Sequence, residues 1–288
     1  MEKGKAGDPD HGIELLWRDE GTAPRPGLSL DRVVQAAVEV ADAEGLEGLS
    51  MRKVADRLGF TSMSLYRHVP GRDQLVDLMC DAVQGRTAGD PPLDDVAPID
   101  GWRGRLAALA REGWELRRRH PWLAEVPGTR RMPGPNGVAH YERLLSAVAG
   151  TGLAPTEVIA VVGLVGRFVD AEATRLVEVT RTERRSGVTE QDWWGARDAL
   201  YARLDRYPTL SSLWSAGGFD EPEDSFEFGL RTVLDGVEAL IQRRRDETSD
   251  ESCRVCGNPV RRAATGRPRT YCSRACRQRA YRQRGPDG

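Results

Sequence analysis

Four cysteines near the end of the chain have the spacing of a metal site. Cys253, Cys256, Cys272 and Cys276 form the pattern C-x2-C-x15-C-x3-C. Four thiolates so spaced suit a tetrahedral structural zinc ion and leave no open position for a catalytic water. Gly257 fits the tight turn after the first pair, and Ser273 can cap a terminal helix with Cys276 in its first turn. A redox pair is the competing chemistry. The surrounding module has little apolar material, so a metal would supply most of its stability. From Cys253 to Arg284 there are ten arginines and no acidic residue. These could add phosphate contacts at the flanks of a nucleic-acid site. The plainer reading is a solvated, metal-stapled tail that binds acidic surfaces or nothing.

A second set of residues with recognisable chemistry runs from Ser50 to Arg72. Ser50 can cap a first short helix that places Val54, Ala55 and Leu58 on one face. Gly59 stops it, Thr61 or Ser62 can cap a second helix at once, and Pro70-Gly71 closes that one. Arg52, Lys53, Arg57, Arg67, Arg72 and His68 are opposed in this interval only by Asp56. Helix, tight turn and a second helix bearing polar, aromatic and basic residues is the sequence form of a helix-turn-helix, a DNA-reading unit.

The elements that must position these residues read as helices throughout. Leu30, Val33, Val34, Ala37, Val38 and Ala41 follow a helical period capped by Ser29 and stopped at Gly45. Leu75, Val76, Leu78, Met79 and Val83 mark another helix, from about Arg72 to Gln84, with Cys80 as a buried, inert thiol on its apolar face. Residues 1–27 read as a mostly disordered arm in which Ile13 to Trp17 could dock locally and Arg18 and Arg25 could reach DNA. The helix-turn-helix domain then spans 28–88, a linker 89–100, a helical domain 98–245 and the basic tail 246–288.

Within the helical domain the pattern predicts helices at 101–119, 137–149, 155–181, 189–206 and 223–244, with a short turn at 210–214. Val158, Val161, Val162, Val165 and Val169, with Ile159 and Leu164, are apolar on nearly all sides of one helix. Phe226, Leu230, Val233, Leu234, Val237, Leu240 and Ile241 form a stripe on another. Both are candidates for a dimer interface, with burial inside one subunit as the alternative. Trp102, Trp114 and Phe168 could line an apolar ligand cavity, to which His120, His140 and Arg167 would add polar contacts; each aromatic residue alone reads first as ordinary core.

Composition narrows the function classes. The 288 residues carry a net charge of −2, which is not that of a uniformly basic nucleic-acid coat. The first twelve residues have no apolar run and do not read as a secretory signal, and the longest apolar stretch is about half of the ~20 residues a bilayer span needs. A reducing cytoplasm is the expected compartment. Coordination by four cysteines, four isolated histidines and the lack of H-E-x-x-H or G-x-x-x-x-G-K-[ST] argue against a zinc enzyme or a nucleotide-hydrolysing one.

The segment from Ser29 to Leu75 resembles the N-terminal domain of the tetracycline-repressor (TetR) family. Ala36-Ala37, Glu44-Gly45-Leu46, Arg52, Ala55, Leu58-Gly59, Leu65-Tyr66, His68-Val69 and Arg72 occur in order at the family's spacing. The region to residue 245 is similar, on looser motifs, to the family's regulatory domain. The resemblance implies an all-α fold: a three-helix helix-turn-helix domain on a helical ligand-binding and dimerisation domain, here followed by the zinc-binding module. It implies a homodimer on a near-palindromic double-stranded DNA operator, released by a small-molecule effector, and no enzymatic activity. By resemblance Ser62, Met63 and Ser64 approach base edges, Tyr66 and His68 hold phosphates, and Arg67 does either. Met51, Arg52 and Arg72 would contact the backbone or flanking bases, while Leu65 and Val69 face inward. Residues that bind tetracycline find no match. A regulator switched by metal or oxidation at the four cysteines is the alternative.

Overall fold

The computed structural model describes residues 9–18, 27–85, 101–126, 132–220, 223–250, 253–258, 260 and 270–283. Among them every regular element is a helix. The N-terminal group comprises α1 (Pro9–Leu16), α2 (Leu30–Gly48), α3 (Met51–Leu58), α4 (Ser62–Tyr66) and α5 (Arg72–Gln84). Local chemistry sets their ends. The Ser29, Ser50 and Thr61 hydroxyls accept from the backbone N–H groups of Arg32, Lys53 and Ser64. Gly45, at φ 74°, breaks α2 three residues before its end, and Gly59, at φ 75°, turns the chain out of α3. These helices close over Val33, Ala37, Val54, Ala55, Leu65, Val69, Leu75 and Met79, none of them exposed to solvent. Each buried leucine or valine contributes about 1.5–3 kcal/mol.

Helix α1 is the local docking that Ile13 to Trp17 offered; positions 1–8 and 19–26 of the expected arm lie outside the described residues. Leu16 is buried in the N-terminal core, and Trp17 Nε1 donates to the Pro133 carbonyl at 3.1 Å. Arg18, offered to DNA by the sequence, pairs instead with Asp31. Arg25 and the expected linker at 89–100 lie outside the described residues.

The second helical group comprises α6 (Gly101–Arg119), α7 (Pro135–Ala149), α8 (Pro155–Ser186), α9 (Glu190–Gly195), α10 (Asp198–Tyr201), α11 (Pro208–Ser215) and α12 (Ser225–Asp250). A 3-10 turn, Pro121–Glu125, follows α6. The segment 189–206, expected as one helix, is broken at Ala196–Arg197 and again at Ala202–Arg203, and the expected short turn at 210–214 is the eight-residue α11. Helices α6, α7, α8 and α12 share a core around Leu106, Val148, Val162, Val165 and Leu230. Ion pairs lock their register: Arg111 grips Glu227 with two bonds of 2.7 Å, and Arg103 reaches Asp235 and Glu238 at 2.5 and 3.0 Å. Among the described residues no helix is long and apolar enough to cross a membrane. A separate small core lies under the last helix, α13 (Arg274–Gln283).

Candidate functional site

Helix α4 owes its orientation to two fully buried anchors, Leu65 and Val69. With those inward, the opposite side faces solvent. Met63 is 73% exposed and Tyr66 47%, and Arg67 is exposed beside them. Ser62, Ser64 and His68 are half-buried on the same short helix or just after it. Ser64 Oγ lies 3.0 Å from Thr61 Oγ1, so its hydroxyl is already held by the cap. Arg52, at the start of α3, extends into solvent with only a 3.8 Å pairing to Asp56.

Two residues of the expected DNA-facing set are otherwise engaged. Met51 is 7% exposed and belongs to the N-terminal core, so its side chain is withdrawn from any ligand. Arg72 folds back on the chain: its Nη2 and Nε donate to the carbonyls of Leu46 and Leu49 at 2.8 and 3.3 Å. It closes the unsatisfied end of α2. Phe60 and Thr61, both exposed at the start of α4, extend the outward rim and were missed. An aromatic residue straight after a left-handed glycine was the available signal.

The expected pocket set is only partly assembled. Trp114, Phe226 and Phe168 form a continuous stack, with centroids 4.7 and 5.6 Å apart. Phe168 lies over Gly229, where a Cβ would come within 2.4 Å of the ring. Trp102 is half-buried against the same core. Arg167 points outward from α8. His140 is packed beside Arg143, which bonds both its ring and Glu112. Burial, reinforced by the Arg143 charge, holds His140 below the ordinary imidazole range. A depressed histidine pKa favours the folded state while the ring is neutral, and that contribution is lost as pH falls below about 6.5. The stability of His140→Gln is therefore expected to drop less than that of the wild type between pH 7 and pH 5, read by urea denaturation. Parallel pH profiles would contradict this role.

His120 is at a different place altogether, the joint between the two helical groups. Its Nδ1 meets Asp42 Oδ1 at 2.8 Å, and the same oxygen accepts from Trp122 Nε1 at 2.7 Å. Trp122 is 1% exposed and packs into the N-terminal core, although its own turn follows α6. The turn is tied onward to α8 by Arg181 and Glu125 at 2.7 Å. A second joint lies between α5 and α7, where the Asp81 carboxylate accepts from Gly137 N at 2.8 Å and from Asn136 Nδ2 at 3.1 Å. Gly134 is needed there, because a Cβ would fall within 2.6 Å of that carboxylate.

In the tail, the four cysteine sulfurs lie within 4.8 Å of one another. Cys256, Cys272 and Cys276 are separated by 3.4, 3.5 and 3.6 Å. A disulfide would need about 2.05 Å. A tetrahedral ion at about 2.3 Å from each sulfur sets them about 3.8 Å apart. The backbone prepares this arrangement: Gly257 takes φ 72°, its N–H donates to the Cys253 carbonyl, and Ser273 Oγ accepts from Cys276 N. Burial pushes the Cys253 thiol up, but N–H groups of Cys272, Val255 and Cys256 outweigh it and bring it to about 6. The neighbouring Cys256 and Cys253 sulfurs push Cys272 up to about 12. Crowded thiols of this kind cannot all ionise without a cation between them.

Comparison with known proteins places the assembly. The model of the tetracyclin repressor-like C-terminal domain matches residues 96–241, and that of bacterial regulatory proteins of the tetR family matches residues 33–79. The HTH-type transcriptional repressor DrrR1 of Streptomyces coeruleorubidus is 42% identical over 250 residues, 85% of this chain and 91% of its own length. The tetracycline repressor protein class C of Escherichia coli is 32% identical over 74% of this chain and 92% of its own. The TetR family protein ActR of Streptomyces coelicolor, solved in complex with actinorhodin, superposes with a TM-score of 0.59 at 29% identity, covering 75% of this chain and 98% of that one. These relatives are regulators of transcription, not enzymes. The chain belongs to the tetR family of transcriptional regulators.

Proposed function

We propose that the protein is a homodimeric, cytoplasmic repressor that leaves a two-fold symmetric DNA operator when a small molecule enters its helical domain. The exposure pattern of α4 carries this reading. Leu65 and Val69 anchor one side, so Met63, Tyr66 and Arg67 are free to meet a major groove. Met63 suits a thymine methyl, Tyr66 and His68 suit phosphate oxygens, and Arg52 suits the backbone beside them. Helices α8 and α12 supply the dimer surface in this reading. Most of the α12 stripe is buried within the subunit, but Ile159, Leu164 and Phe228 remain exposed.

The stack of Trp114, Phe168 and Phe226 is the best candidate wall for an apolar effector. ActR holds actinorhodin within the same fold. Such a ligand acts by preferring one of two states, and the joints at Asp42 and Asp81 are the paths by which that preference reaches α3 and α4. In the tail, the inter-sulfur distances and the prearranged turn support a structural zinc ion held by Cys253, Cys256, Cys272 and Cys276.

Selection of binders from random duplex DNA tests the main reading. A two-fold symmetric site is expected, and failure to enrich any sequence would sink it. Against variants of that site, Tyr66→Ala is expected to weaken every duplex about tenfold, which is about 1.4 kcal/mol. Met63→Ala should reorder preferences among them by a similar factor. Identical losses across the panel for both substitutions would contradict the division of labour.

A further inference from the structure

About half of the described arginines in the body of the protein pair with carboxylates. Arg57 pairs with Glu39, Arg117 with Asp170, Arg143 with Glu112 and Arg244 with Glu157. Helix α13 departs from this. Arg274, Arg277, Arg279 and Arg282 are exposed and meet no acidic group among the described residues. The run from Cys253 to Arg284 contains no aspartate or glutamate; the nearest in sequence are Glu251 and Asp287, on either side of it. With those ten arginines set aside, the net charge of −2 becomes −12, so the tail is a cationic island on an anionic chain.

The placement of the charges on α13 narrows the partner. Cys276 and Ala280 are buried and define the inward face. At 3.6 residues per turn, Gln278 falls opposite them, flanked by Arg274 and Arg282, with Arg277 and Arg279 at the two edges. Guanidinium groups thus line both flanks of a helix whose outward midline is polar. Two rows of phosphate on either side of a groove match that pattern, and the major groove of B-DNA, about 12 Å wide, admits one helix. Each arginine can then bind phosphate with two hydrogen bonds.

The mounting point separates this surface from α4. Arg244, near the end of α12, bonds Glu157 at the start of α8. The other end of α8, at Arg181, reaches Glu125 on the joint with the N-terminal helices. The 24 residues between Glu157 and Arg181 span about 36 Å of helix. Only two residues separate the end of α12 from Cys253. A module of this length is on the order of 20 Å across, too small to reach back to the operator. The expectation that the tail extends contacts along the operator therefore gives way to another geometry. We infer that the C-terminal module is a second duplex-DNA-binding surface, engaging a segment distinct from the one read by α4, so that a single assembly bridges two DNA segments. This rests on the reading that a metal held by the four cysteines seats α13.

The test uses the full chain and a full-length variant carrying Arg274→Gln, Arg277→Gln, Arg279→Gln and Arg282→Gln, with zinc content measured in both. Each is saturated with unlabelled operator and titrated with a labelled duplex of unrelated sequence, followed by fluorescence anisotropy. The wild type is expected to bind the second duplex at least tenfold more tightly than the variant, with operator affinity equal in both. Its salt dependence should be steeper by about three to four in log–log slope, since each phosphate contact contributes about 0.9. Equal binding by a variant that retains zinc overturns the inference, as does preference for single-stranded RNA or for polyglutamate over the duplex. The expected duplex binding by a wild type that holds no zinc would sink the metal reading and leave the DNA surface standing.

Discussion

Trp122→Ala is expected to cost about 3–5 kcal/mol of folding stability, the range for deleting a large buried aromatic side chain. Trp122 is the largest of the fully buried side chains, and it inserts into the N-terminal core from a turn attached to α6. Its removal leaves a cavity in one helical group and also loosens one of the two joints with the other. Urea denaturation reads the loss as a lower midpoint with an unchanged slope. A loss under about 1 kcal/mol would mean that the tryptophan does not hold the joint.

Trp122→Phe separates the two roles of this residue. It keeps much of the volume but deletes the Nε1 donor to Asp42, leaving His120 as that oxygen's remaining side-chain partner. Hydrogen bonds to charged groups contribute about 1.5–3 kcal/mol, so a loss near the lower end is expected. The more informative reading is functional. The folded variant should bind operator nearly as well as the wild type but respond less to effector, because the Asp42 joint is a path between the two helical groups. Full effector response in Trp122→Phe would assign the coupling to Asp81 and its partners on α7 instead.

Local chemistry made the helix-turn-helix legible, since its boundaries depend on residues adjacent to them. Ser50, Gly59 and Thr61 act within three or four positions of where they stand, and each does in the fold what its type implies. The long-range joints were invisible for the same reason. Arg72 finds its acceptors 23 and 26 residues back, and His120 finds Asp42 at a separation of 78. No period or spacing announces such pairs, so Arg72 read as a phosphate contact and His120 as a pocket residue. Met51 was given a DNA contact by resemblance alone, and the helix turns its side chain toward the core.

The α12 stripe shows a third kind of limit. Its period established that Phe226, Leu230, Leu234, Val237 and Ile241 are buried, but periodicity does not say against what, and the partner proved to be the same subunit. In 189–206, helical composition suggested one continuous element. Trp193 and Trp194 stand exposed side by side, and the chain turns just after Gly195. Without a core to pack on, propensity alone did not carry the helix through.

Removing the metal from the tail is expected to unfold that module and nothing else. Among the described residues its core cluster is Cys253, Val260 and Cys276, with Val255 and Tyr271 against them, and two of these three buried members are proposed ligands. Structural zinc contributes on the order of 10–16 kcal/mol in comparably small sites, far more than three side chains can offer. Cys276→Ser removes a ligand that also anchors the first turn of α13, and a chelator in excess should act alike. Limited proteolysis is then expected to cut beyond residue 250 while the cleavage pattern before residue 245 is unchanged, with one zinc per chain lost. The N-terminal core shares no buried residue with the tail, so operator affinity should stay within about twofold, a difference of about 0.4 kcal/mol. Loss of operator binding on chelation or on mild oxidation would instead make the four cysteines the switch of the regulator. The inter-sulfur distances of 3.4 to 3.6 Å and the turn already formed at Gly257 favour the structural role, because the thiols stand close to the spacing a tetrahedral ion needs.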